Sequence, residues 1–119
     1  MNEPMIKTLE INVLKDNIEQ VINTRILNDF NNFKNKNELI YCTMHQEKPK
    51  GNSIDVSFST TIKYKDKVVD SSKLLRDFKN FQSYNNGDYC QITKTSHQDS
   101  MLIAEFTVFR TYQLNFTQK

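Results

Sequence analysis

Glycine and proline are scarce in this 119-residue chain, with two of each, and tryptophan is absent. With only Gly51 and Gly87, the chain has no glycine-rich loop to cradle a phosphate, which excludes the nucleotide sites built on such loops. Two cysteines, Cys42 and Cys90, are too few for a disulfide scaffold. Each falls in a predicted strand, where a small buried hydrophobe is the expected role. Histidine is limited to His45 and His97. In "CTMH", Cys42 and His45 lie three apart, on opposite faces of a strand, so that strand alone does not make them a nucleophile–base pair. "SHQDS" puts His97 and Asp99 in a polar turn without further metal ligands. Paired acids are absent from the apolar stripes, leaving acid–base chemistry in a concave pocket without obvious agents. No catalytic residue, metal ligand or cofactor is assigned, and a non-enzymatic role is expected.

Long apolar runs are also lacking, and no segment approaches membrane-spanning length. The opening "MNEPMIKTLEINVLK" carries acids among its first ten residues and no uninterrupted apolar stretch, unlike a signal peptide. A cytoplasmic address, without membrane contact, is the expectation.

What the chain does have is lysine, asparagine and isoleucine. Lys outnumbers Arg thirteen to three, Asn occurs fourteen times and Ile ten, against a single Ala. An AT-rich genome produces such a skew, as in a low-GC bacterium, one of its phages or plasmids, or an AT-rich eukaryote. Net charge is +2 and unevenly placed: residues 1–33 hold three bases against five acids, while residues 63–79 hold six bases against three. Lys48, Lys50, Lys63, Lys65 and Lys67 are the candidates for weak single-stranded nucleic-acid binding, with Tyr64 and Tyr84 as stacking platforms. Asp and Glu interleave with these bases and Arg is nearly absent from them, so nucleic acid is the less favoured partner.

Apolar residues recur periodically, which marks a folded chain. Leu14, Ile18, Ile22, Ile26, Phe30 and Phe33, widened by Val21 and Leu27, predict a long amphipathic helix that Asn12 can cap. Before it, Leu9, Ile11 and Val13 alternate as a short strand does. "ELIYCTMHQ" reads as a strand apolar on both faces. "SIDVSFSTTIKYK" gives a cleaner one, with Ile54, Val56, Phe58, Thr60, Ile62 and Tyr64 on one side. A turn at Lys65–Asp66 leads to a brief strand. Ser71 or Ser72 then caps a short helix with Leu74, Leu75, Phe78 and Phe81 apolar. Strands near Tyr89–Thr95 and from Met101 onward complete the chain. Residues 1–119 are read as one α+β domain: a curved antiparallel sheet of five or six strands on one long N-terminal helix, plus a short second helix. In element order this two-layer outline resembles the cystatin and NTF2-like folds, although no motif carries the likeness.

One stretch breaks its own pattern. In "LIAEFTVFRTYQLNF", Leu102, Ala104, Phe106 and Val108 share a face that Tyr112, Leu114 and Phe116 continue, yet Arg110 stands between them. The parity persists across the interruption, which disfavours a bulge. A strand of this length spans roughly 50 Å, more than a small core is wide. The expectation is that it leaves the core near Arg110, whose head reaches water. Tyr112, Leu114 and Phe116 would then project as a patch for a protein partner. In the competing account, the first strand or the long helix covers the tail and Arg110 pairs with Asp77 or Asp29. On the opposite parity, Met101, Ile103 and Phe109 make the wet face partly apolar, as a homodimer through the sheet requires.

The expected function is therefore a small protein-binding module, homodimeric in one form, suited to a phage- or plasmid-encoded inhibitor or assembly subunit. The alternative is a pocket between helix and sheet lined by Phe30, Phe58 and Phe106, with Arg110 at its mouth binding an anion.

Overall fold

The structure, a computed structural model, describes residues 6–14, 18–37, 41–64, 71–99 and 101–117. Among these residues the chain forms β1 (Lys7–Leu14), α1 (Ile18–Asn37), β2 (Cys42–Gln46), β3 (Ser53–Tyr64), α2 (Ser71–Tyr84), β4 (Tyr89–Gln98) and β5 (Met101–Thr117). The strands make one sheet around β5. On one edge of β5, β3 pairs antiparallel from Leu102 to Gln113, and β2 pairs antiparallel with β3 beyond it. The other edge is shared end to end, by antiparallel β4 over Met101–Phe109 and by parallel β1 over Arg110–Thr117.

The fold is α+β, but the sheet is mixed and not wholly antiparallel. Hairpin-length turns dictate antiparallel neighbours only for strands they join directly. β1 and β5 are joined by nearly the whole chain, so no turn constrains their direction. β3 and β4 both run antiparallel to β5, one on each side, and α2 is the crossover between them. α1 carries the chain from the β1 edge to the β2 edge.

Both helices lie on the sheet face that holds Ile54, Val56, Phe58, Phe106, Val108 and Leu114. A chain of rings ties them to it: Phe30 and Phe33 of α1 each sit 5.5 Å from Phe58, while Phe78 and Phe81 of α2 sit 5.3 and 5.4 Å from Phe106. Phe33 meets Phe81 edge-on at 6.0 Å, joining helix to helix. The space proposed from sequence as a ligand pocket is filled by these rings, and Phe58 and Phe106 are fully buried.

Each helix is also latched to a strand by a tyrosine. The Tyr112 hydroxyl donates to Asp29 of α1 at 2.7 Å, and the Tyr64 hydroxyl donates to Asp77 of α2 at 2.6 Å. Burial, then the neighbouring carboxylate, raises the pKa of both phenols well above the usual tyrosine range. Thr60, under the helices, keeps a buried hydroxyl without a hydrogen-bond partner.

Several expectations shift. Leu14 and Asn12 belong to β1, not to the helix and its cap, and Asn12 faces Asn115. Ile22, Ile26 and Phe33 are buried as predicted, whereas Leu27 stands exposed. β2 is shorter than predicted and mostly exposed because it is an edge strand, so its apolar pattern does not report two covered faces. The predicted turn and brief strand after Lys65 lie outside the described residues. β5 stays in register with β3 through Arg110 without a shift, and the one irregularity falls in β4 between Ile92 and Lys94.

Candidate functional site

The odd charge in β5 marks a joint. On the shared edge, Tyr89 of β4 faces Phe109 and Lys7 of β1 faces Arg110, so one neighbour ends where the other begins. Gly87, at φ 93°, turns the chain into β4 and delivers Asp88 beside this joint. The Arg110 guanidinium donates to both Asp88 oxygens, at 2.8 and 3.3 Å, and lies 5.1 Å from the centre of the Phe58 ring. Its side chain is 15% exposed and that of Asp88 6%, so the pair is internal. Burial alone would lower the guanidinium pKa, but the bonds and charge of Asp88, with help from Tyr112, raise it instead.

Tyr112 passes the network on to Asp29, which also accepts from Arg25 at 3.1 Å. Asp88, Arg110, Tyr112, Asp29 and Arg25 thus connect the α2–β4 turn to α1 through β5. Cys90 sits at the same joint, where burial and the Asp88 charge push its thiol up to about 11. That thiol is protonated at neutral pH and is a poor nucleophile.

The projecting-patch expectation is corrected by this geometry. Tyr112 is fully buried and Leu114 nearly so, because β1 continues the sheet alongside them and α1 covers that face. Only Phe116, 37% exposed at the end of β5, is open. Arg110 pairs with neither Asp29 nor Asp77, both of which serve the tyrosine latches. Nor is it free at a pocket mouth to bind an anion.

Met101, Ile103 and Phe109 lie where parity placed them, half-buried on the opposite face of the sheet. Among the described residues no helix covers that face. Phe109 sits 5.8 Å from Tyr89. Between the apolar ends runs a strip of hydroxyls: Thr107 bonds Ser59 at 2.8 Å and Thr93 at 2.7 Å, and Thr93 also donates to Glu105. The β4 bulge aims Thr93 into this strip.

Sequence reasoning missed a groove of about 260 Å³ on this outer face, lined chiefly by Ile6, His45, Glu47, Asp55, Phe109 and Thr111. These residues come from both edges and the centre of the sheet, so only the strand order brings them together. His45 pairs with Glu47 at 3.4 Å, and Asp55 accepts from the Thr111 hydroxyl at 2.8 Å. A second, more open trough of about 710 Å³ lies between β1 and α1, lined mostly by polar side chains such as Asn12, Gln20 and Asn28.

The candidate nucleic-acid lysines do not form one track. Lys48 and Lys50 belong to the β2–β3 hairpin, while Lys63 lies roughly 30 Å away near the other end of β3. Lys65 and Lys67 lie outside the described residues. Among the described residues no group of three His, Cys, Asp or Glu side chains can hold a metal ion, and no helix is long and apolar enough to cross a membrane.

The fold and face define an α+β protein with both helices on one side of a mixed sheet and a patterned, uncovered surface on the other. No family model matches the sequence, and no curated protein matches it.

Proposed function

We propose that this chain is a non-catalytic protein-binding module whose contact surface is the outer face of its sheet. The observation that carries the reading is that both helices pack on one face while Met101, Ile103 and Phe109 stand half-buried on the other. An apolar face interleaved with satisfied hydroxyls suits reversible protein contact. The protonated Cys90 thiol and the exposed His45–Glu47 pair offer no activated nucleophile, which favours binding over catalysis. A cytoplasmic inhibitor or assembly subunit, of the sort phages and plasmids encode, is the role that this composition and surface suit.

A photo-reactive side chain at Gln91, exposed on the outer face beside Thr107, tests the reading against one at Leu75, exposed on α2. Cross-linked partner, whether another protein or a second copy, is expected from Gln91 and not from Leu75. Capture from Leu75 alone would overturn it.

A further inference from the structure

Charge is distributed along the outer face in a way that makes the face complementary to itself. Toward one end, the groove brings Glu47 and Asp55 together above an apolar floor of Ile6 and Phe109. Among the described residues Asp55 is in no ion pair. Arg110, the guanidinium nearest this groove, is committed to Asp88 on the other side of the sheet. Toward the other end, Lys63 faces outward opposite Ile103, and nearer the middle Lys94 faces outward opposite Glu105; both lysines are exposed.

We propose that two copies of this chain pack outer face to outer face about a two-fold axis perpendicular to the strands, with Lys63 of each copy entering the groove of the other. This rests on the outer face being the contact surface. The two-fold places the lysine end of one sheet over the carboxylate end of the next, and repeats the match symmetrically. Centred between Thr107 and Glu105, it sets Ile103 over Phe109 and brings Lys63 to the groove. The aliphatic stem of the lysine lies beside Phe109, and its ammonium reaches Asp55 and Glu47 one residue pair further on. At about 260 Å³ the groove is smaller than the ~300–1,000 Å³ typical of small-molecule sites, and it suits one long side chain. Three strand positions at ~4.8 Å spacing over ~36 Å of length, with the five-residue β2 beside them, offer roughly 600 Å² per copy, at the low end of standard interfaces. The alternative axis, parallel to the strands, would set carboxylate end against carboxylate end and lysine end against lysine end. Like charges opposed across an interface select against it.

Charge reversal tests this arrangement with its own folding control. Sedimentation velocity is expected to show a reversible dimer for the native chain. Lys63→Glu and Asp55→Lys should each weaken it by more than about tenfold, since each puts two like-charge contacts into the homodimer. An equimolar mixture of the two variants should regain the dimer as a heterodimer, because each lysine then meets a carboxylate. That recovery also shows that both variants are folded. A native chain that is monomeric at all concentrations overturns the proposal, as does a dimer indifferent to both substitutions or a mixture that stays monomeric. If the native chain is monomeric while the Gln91 probe captures a different protein, the second copy is excluded and the contact face stands.

Discussion

Phe109 and Arg110 are neighbours in one strand and occupy each other's expected places. The aromatic ring lies on the uncovered face, and the charge points into the helix-covered side. Burial in this sheet follows strand neighbours more than residue type. Arg110 sits where β4 gives way to β1, and a guanidinium bonded twice to Asp88 closes that joint in a way a leucine would not. Phe109, one residue earlier, meets Tyr89 across the last pair of the β4 ladder. The helix-covered face is thus internal even where it is charged, and the outer face is available even where it is apolar.

Breaking the internal pair should have the largest effect. Asp88→Ala leaves a guanidinium buried without its partner and should cost about 3–5 kcal/mol, read as a lower urea midpoint. The double replacement Asp88→Asn with Arg110→Met should recover much of that loss, since neither residue then needs a counter-charge. If Asp88→Ala costs less than 1 kcal/mol, the joint is not held by this pair.

The tyrosine latches come next. Tyr112→Phe and Tyr64→Phe each remove a hydrogen bond to a carboxylate and should cost about 1.5–3 kcal/mol. Their raised pKa values also fix the sign of an alkaline effect. Folded protein holds the phenolic proton after the unfolded chain has lost it, so this stabilisation is complete below the ordinary value of 10.0 and falls as pH rises above it. The slope is at most about 1.4 kcal/mol per pH unit for each tyrosine. Cys90, pushed up from 9.0 to about 11, adds the same sign from pH 9 upward. The double phenylalanine variant should have a flatter stability–pH curve above pH 10 than the native chain.

On the outer face, Phe109→Ser should cost only about 1 kcal/mol in folding, through the lost contact with Tyr89, while abolishing association. A variant that instead fails to fold would make Phe109 part of the core and erase the contrast between the faces. Smallest is Thr60→Val, which removes a buried hydroxyl without a partner and should be neutral or stabilising by up to about 1 kcal/mol in the same urea titration.

Much of this division could be read from the sequence, and its limits have physical causes. The alternation in β3 and β5 fixed which side chains share a face, including Arg110 with its apolar neighbours and Phe109 opposite them. Alternation does not say which strand lies alongside. Cover of the tail by the first strand or the long helix was one of two accounts the sequence offered, and the pairing of β1 with the tail of β5, with α1 over it, decides for that account. Asp88 escaped notice for the same reason. It follows Gly87 in a turn, and only the β4–β5 register shows that it lands beside Arg110. The two acids that sequence reasoning offered Arg110, Asp29 and Asp77, lie on the helices and answer to the tyrosines. The groove draws on residues from Ile6 to Thr111, a separation that no local pattern spans.

The account stands or falls on whether contact is confined to the uncovered face. Hydroxyl-radical footprinting reads this directly, because methionine, tyrosine and phenylalanine side chains report on both faces. Labelling inside the cells the protein comes from should protect Met101, Phe109 and Tyr89 relative to dilute purified protein, leaving Tyr84 and Phe116 unchanged. Protection of Tyr84 and Phe116 with none at Phe109 would contradict it.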